Sequence, residues 1–318
     1  MKNLFIDTNI WLSLYDFTKD DLDQFKKLKS HMGESIKLVI PKQIKYEIIR
    51  NRENKLNASM KRFSLDLPQF PVFTKGYPQY ENFKSDMLKL RSDFEDWKKA
   101  IERDIAEENL PADSTILEFF VDDDLIDCDD VIELGYKRYK IGNPPGKDNK
   151  YGDAIIWEAL LKNVPNGEDL YIISADKDYR SIIDNKKIHP FLEKEWSETK
   201  NSSIKFYTNL VDFLKDHATD IELKSERERQ ELIEALNSSE NFQTTHGIIA
   251  MLNKYSSWSN QQIEDLCECA KKNTQVGQIL GDYDVNRFYT GLLSDLDSDL
   301  SQNEKVLKVK SKLEQIKS

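Results

Sequence analysis

The chain has little cysteine and little histidine, three and four residues respectively in 318. Cys128, Cys267 and Cys269 leave one thiol unpaired, and the last two stand too close together for an ordinary zinc pair. A disulfide framework and a Cys/His zinc centre are therefore disfavoured, and a reduced, cytoplasmic interior is the expectation. No run of about 18 apolar residues occurs, so neither a transmembrane helix nor a membrane partner is expected. The opening MKNLFIDTNIWL is broken by Asp7 and Asn9 and lacks a small-residue cleavage site, so it does not read as a signal peptide. Internal repeats and low-complexity tracts are missing as well. Positive charge is in deficit: 46 lysines and arginines face 57 acids, a formal charge of −11. That balance argues against phosphate-backbone binding over the whole surface. A nucleic-acid ligand would need a local basic strip, or a metal to offset the acids.

What is present is an alternation of strand and helix. Short apolar runs stand at Asn3 to Ile6, Lys37 to Ile40, Leu170 to Ile173 and Ile204 to Thr208. Being continuous instead of alternating, they suit strands covered on both faces. Helical patterns fill Leu22 to Met32, Pro41 to Met60, Asp153 to Leu161 and Asn209 to His217. The order reads as βαβ units around a parallel sheet. Pro41 suits the first turn of its helix, where no N–H is needed.

From about residue 63 to 140 the alternation is interrupted. Phe83, Met87, Leu90, Phe94, Trp97, Ile101 and Ile105 recur every three or four residues, one apolar stripe on a long helix. This insertion is read as a helical hairpin packing on the sheet layer or on itself; a wall or lid beside the active edge is the sharper alternative. After His217 the sequence turns polar and helical, opening with KSERERQELIEAL and ending with the amphipathic KVLKVKSKLEQIK. Residues 219–318 thus read as a separate α-helical module, one that could engage a protein partner.

Four carboxylates fall at telling places. Asp7 ends the first apolar run, Glu47 lies in the helix after the second, Asp153 opens a helix, and Asp176 follows the run LYIIS. Each has a plain reading. Asp7, Thr8 and Asn9 can cap a helix, Asp153 can face a helix dipole, and Asp176 and Asp178 can cap a helix beginning near Lys177. Glu47 is harder to dismiss, because it borders the apolar stripe of its helix, where an acid needs a partner or a metal. In a parallel α/β sheet such positions converge on one edge, where ligands bind. Clustered carboxylates repel, a divalent cation is the usual relief, and oxygen-only donors favour Mg²⁺ or Mn²⁺ over zinc.

LFIDTNIWL, LVIPKQIKYEI, KYGDAIIWEAL and LYIISADKDY resemble, in this order, the acidic motifs of the PIN domain family. NPPGKDNKYGD and the later HPFLEKEW and IKFYTNLVDFL are similar to a larger, mostly bacterial branch. The resemblance covers residues 1–218, with the helical insertion at about 63–140. It implies a three-layer α/β/α sandwich with a central parallel sheet, and Mg²⁺- or Mn²⁺-dependent cleavage of nucleic acid, RNA foremost. It also implies that Asp7, Glu47, Asp153 and Asp176 bind one or two metal ions, with Asp178 auxiliary and Thr8, Asn9 and Ser174 in support. Prokaryotic toxins and defence effectors of this architecture are family analogies.

Lys42, Lys45, Arg50, Arg52, Lys55, Lys61 and Arg62 cluster along the Glu47 helix and just beyond, and Lys147 and Lys150 precede Asp153. Of these, Lys42, Lys45, Lys147 and Lys150 are taken as nucleic-acid contacts, with a solvated helix face the plain alternative. The acids Asp122–Asp124, Asp127, Asp129 and Asp130 lack the glycine and the order of an EF-hand loop and read as surface charge and capping. His189 precedes Pro190 in an expected loop, with a surface role. Trp11 and Trp157 are expected in the core. Alternatives are a structure-specific DNase and a non-catalytic RNA- or protein-binding module. A phosphatase using Asp7 as nucleophile, as in haloacid-dehalogenase-like enzymes, needs a second Asp where Asn9 stands.

Overall fold

The computed structural model describes residues 1–146, 151–255, 258–294, 296 and 298–317. β1 (Lys2–Ile6) leads into α1 (Thr8–Ser13), and α2 (Lys19–Lys26) and α3 (Leu28–His31) return the chain to β2 (Ile36–Leu38). β3 (Ile40–Pro41) opens into α4 (Lys42–Arg62), followed by α5 (Tyr80–Ala106), α6 (Pro111–Phe119), β4 (Leu125–Ile126), α7 (Ile132–Lys140) and α8 (Gly152–Asn163). β5 (Leu170–Ile173), α9 (Pro190–Lys200), β6 (Ile204–Tyr207) and α10 (Leu210–His217) complete the layered part. Helices α11 (Lys224–Asn237), α12 (Phe242–Leu252), α13 (Asn260–Lys272), α14 (Thr274–Gln278), α15 (Tyr283–Leu292), α16 (Ser298–Ser301) and α17 (Glu304–Lys317) follow.

The central sheet has the order β2-β1-β5-β6 and every pairing is parallel. Leu4, Phe5, Ile6, Leu170, Ile172 and Ile173 are all buried, as strands covered on both faces require. With helices on its faces, this is the expected α/β sandwich with a parallel sheet and an added helical region. Register aligns Ile6 with Ile173 and Ile173 with Tyr207. Backbone hydrogen bonds continue past the strands, from Asp7 N to Ile173 O and from Ser174 N to Tyr207 O. The sheet therefore delivers Asp7 and Ser174 side by side at its carboxyl edge. Trp11 and Trp157 lie in the core, and no described helix is long and apolar enough to cross a membrane.

Four local expectations need correction. The run Lys37 to Ile40 is divided: β2 stays on β1, whereas β3 pairs with β4 in a separate two-stranded ribbon. That ribbon ends at Pro41, which caps α4 from outside the helix and not from its first turn. The pattern Leu22 to Met32 is two helices with a break at Lys27. No helix starts at Lys177; the chain turns there, closes an antiparallel bridge between Arg180 and Ile188, and begins α9 at Pro190, capped by His189.

The insertion is only partly apart from the layered body. Ala112, Ile116, Phe119 and Phe120 join the main core, with the Phe119 and Phe120 rings 5.6 and 4.9 Å from Trp11. α5, by contrast, has no buried residue. It packs on its own lead-in segment, with Phe63 4.9 Å from Phe94 and 4.8 Å from Trp97. The buried apolar residues otherwise form two large clusters, one from Leu4 to Leu223 and one from Ile233 to Leu313. In the second, Tyr289 donates to the Leu266 carbonyl at 3.0 Å, and Ser259 and Gln262 form a capping box that starts α13.

α7 lies directly on α8, the helix that carries Asp153. A Cβ on Gly135 would stand 2.7–2.9 Å from the side chain and backbone of Ile155. Because the obstruction is partly backbone, relief needs a helix shift. Gly135→Ala is expected to destabilise the protein by about 1–3 kcal/mol, the range for overpacking, read as a lower urea midpoint. An unchanged midpoint would refute the close helix approach.

Candidate functional site

At the carboxyl edge of β1, Asp7 is 2% exposed and caps α1, accepting from Thr8 N at 2.7 Å. Its other oxygen accepts from Asn9 Nδ2 at 2.7 Å and from Ser174 Oγ at 2.5 Å. Capping is thus part of what holds the acid at the edge. Glu47, one turn into α4, accepts from Thr8 Oγ1 at 2.8 Å and from Gln43 Nε2 at 2.9 Å. The Gln43–Glu47 pair has the i, i+4 spacing that brings side chains together on a helix. Asp153 enters from the first turn of α8. Its neighbour Gly152 lies so close that an added Cβ would fall 1.8 Å from Glu47 Oε1. Ser174 Oγ also accepts from Asp176 N at 3.0 Å, and Asp176 Oδ1 accepts from Asp178 N at 2.8 Å. Asp7, Glu47, Asp153 and Asp176 all line one cavity of about 850 Å³.

The charges there are crowded. Burial, then the Asp176 and Glu47 carboxylates, push the Asp7 carboxyl up to about 7 against the lowering effect of its hydrogen bonds. Burial, then Asp176, Asp7, Glu47 and Asp178, hold Asp153 well above the ordinary carboxylate range. Tyr179, fully buried behind the edge, is raised by burial and then by the same acids, Asp153 first. Its hydroxyl has no hydrogen-bond partner among the described residues.

The other expected residues fall elsewhere. Asp178 accepts from Gly146 N at 3.2 Å and is not among the described cavity residues. Lys45 pairs with Asp122 at 2.5 Å, and Lys42 is raised through Tyr46 and Asp127. Both face the acidic run and not the cavity. Lys147 and Lys150 lie outside the described residues. Among the described residues, the cations that line the cavity are Arg50, Lys55, Arg62 and Lys186. Lys55 pairs with Asp16, and Arg50 lies 3.9 Å from Glu47. Gln43 and Gly152 were not singled out from sequence, although the i, i+4 spacing and a glycine beside an acid were visible signals.

The opposite wall comes from the C-terminal helices, including Gln230, Trp258, Gln261 and Asp265. Burial raises Asp265 to about 6. Glu264 joins this wall to the Asp176 loop: its carboxylate meets Lys177 at 3.1 Å and Arg180 at 3.4 Å, and Arg180 also donates to Gln261 at 2.9 Å.

As placed, no three described His, Cys, Asp or Glu side chains converge closely enough to hold an ion. The chemistry of the set nonetheless fits a hard divalent cation: the donors are oxygens only, and two of the acids are driven toward protonation partly by one another.

The sign of the Asp7 shift fixes a pH dependence. A buried acid that holds its proton to about 7, but loses it near its ordinary value once unfolded, stabilises the native state at low pH. That contribution is lost as pH rises from about 4 to about 7, by up to about 4 kcal/mol. Metal-stripped protein should therefore melt at lower temperature at pH 7.5 than at pH 5, with a flatter trend in Asp7→Asn. An equally steep fall in the variant would contradict the assignment.

Comparison with known proteins agrees with this geometry. No curated protein and no solved structure matches the chain significantly. A family model described as a PIN domain matches residues 4–179, a span that begins in β1 and ends just beyond Asp176 and Asp178. With that span covering more than half of its length, the chain belongs to the PIN domain family.

Proposed function

We propose that this protein is a divalent-metal-dependent endoribonuclease whose ions are held by Asp7, Glu47, Asp153 and Asp176. PIN domains are in general nuclease-type folds that bind nucleic acid, and typically use divalent metals. The observation that carries the reading is the arrival of four carboxylates in one cavity at the sheet edge. Hydrogen bonds to Asp7 and Glu47 relieve such a set in part, and a bound cation or proton uptake would relieve it further.

The chain's own residues divide the work. A bound Mg²⁺ or Mn²⁺ would supply charge neutralisation and an acidified water. Thr8, Asn9 and Ser174 fix the Asp7 carboxylate in one orientation, and Gln43 and Thr8 do the same for Glu47. Asp178 serves indirectly, through its N–H on Asp176. Arg50, Arg62 and Lys186 line the approach, where phosphates would meet positive charge that the protein's overall balance does not provide. The helical wall facing the acids restricts what reaches them.

The test uses labelled RNA and DNA with Mn²⁺, Mg²⁺ or EDTA. Metal-dependent RNA cleavage should fall at least about 100-fold in Asp7→Asn and Asp153→Asn, the scale of losing a principal electrostatic group. Gly152→Ala should reduce cleavage too, by displacing Glu47, with the unfolding midpoint little changed. Cleavage confined to branched DNA would replace the substrate assignment, and binding without cleavage would sink the enzymatic reading.

A further inference from the structure

The standing helix α5 carries more than an amphipathic stripe. Its apolar residues follow an alternating three–four spacing from Tyr80 to Ile101, three heptads of a two-row seam. One row, the a positions, is Tyr80, Met87, Phe94 and Ile101; the other, the d positions, is Phe83, Leu90 and Trp97. The lead-in segment leans on the first row, with Phe70 5.8 Å from Tyr80 and Phe63 4.9 Å from Phe94. The second row is mostly open, with Phe63 reaching Trp97 at 4.8 Å: Phe83 is 60%, Leu90 52% and Trp97 57% exposed. At 1.5 Å per residue the seam runs about 32 Å.

The charges beside the seam identify its partner. The position before each a residue (g) is acidic at Asp86 and Asp93, and the position after each d residue (e) is basic at Lys84, Arg91 and Lys98. In a parallel pair of helices the g residue of one faces the e residue five positions on in the other. For two copies of this helix that sets Asp86 against Arg91, and Asp93 against Lys98, twice over. An antiparallel pair would set acid against acid and base against base. The helix is thus its own charge complement in one orientation only.

We propose that α5 is a dimerisation element that pairs in parallel with α5 of a second copy of this chain, burying the Phe83, Leu90 and Trp97 row. This goes beyond the nuclease reading and needs no part of it. Light scattering on the full chain should show a dimer. Leu90→Glu with Trp97→Glu should weaken it by at least about 30-fold, the scale of removing interface anchors. Because Trp97 also touches Phe63, charge variants give a second reading that leaves the apolar seam intact. Asp86→Lys with Asp93→Lys should dissociate the dimer, as should Lys84→Glu with Arg91→Glu and Lys98→Glu, and mixing the two variants should restore it as a heterodimer. Orientation is read from Phe83→Cys, which should form a disulfide with its own copy under a mild copper oxidant; the described native thiols are buried. A chain that stays monomeric overturns the proposal, as does a dimer indifferent to these charges. So does Phe83→Cys that links only to Ile101→Cys, the antiparallel result.

Discussion

Repulsion among carboxylates at the end of a parallel sheet governs how the rest of this site is built. Two acids about 5 Å apart repel by roughly 3 kcal/mol at an effective dielectric of 20, and Asp7 is additionally almost sealed from water. Register leaves it no choice of place, because β1 and β5 end in step. What makes the position tolerable is a set of donors within a few residues of the same edge: Thr8 N, Asn9 Nδ2 and Ser174 Oγ all point at one carboxylate. Hydrogen bonds to a charged group contribute about 1.5–3 kcal/mol each, enough to oppose the repulsion but not to abolish it. Asp7 is still pushed up to about 7. The same logic explains Gln43, which lies one turn before Glu47 and donates to it.

The C-terminal helices turn this edge from an open groove into a cavity. They have their own apolar cluster, yet they are tied to the layered part at a sensitive place. Glu264 and Arg180 are 8% and 7% exposed, and Lys177, the third member of the clasp, is adjacent in sequence to Asp176. Breaking a buried ion pair by removing one partner costs about 3–5 kcal/mol, so the Asp176 loop is held by the helical wall as well as by its own turn. Arg229 adds a second tie by donating to the Asp16 carbonyl. Access to the cavity and the position of one acid therefore depend on helices that share no cluster of apolar residues with the sheet.

Much of this was legible because strand ends and carboxylates coincide in the sequence. LFID and LYIIS announce both the strands and the edge residues, and their order matches the family's motifs. Where the reading failed, the deciding contacts were distant. Beyond Lys37 the run to Ile40 is apolar without a break, and only β4, some 85 positions later, draws its end into a second ribbon. The helix supposed near Lys177 is replaced by turns that close on Ile188. Lys42 and Lys45 were placed beside the acids because they share a helix with Glu47, but a helix has more than one face. The residues toward the cavity include Gln43, Glu47, Arg50, Asn54, Lys55 and Arg62, whereas Lys45 lies two residues around from Glu47 and meets Asp122.

The insertion shows how far periodicity alone can be taken. A stripe of apolar residues three or four apart establishes a helix with one greasy face, and it says nothing of what covers that face. α5 has 27 residues and none is buried. Most helical stability in proteins comes from packing of an apolar face. The lead-in segment supplies a few aromatic contacts, to Tyr80, Phe94 and Trp97. Solubility alone would be served by random charges on the flanks. Asp86 and Asp93 on one flank, with Lys84, Arg91 and Lys98 on the other, are sorted by sign instead. Sorting of this kind specifies register and direction between helices, a property without use to a helix that stands alone.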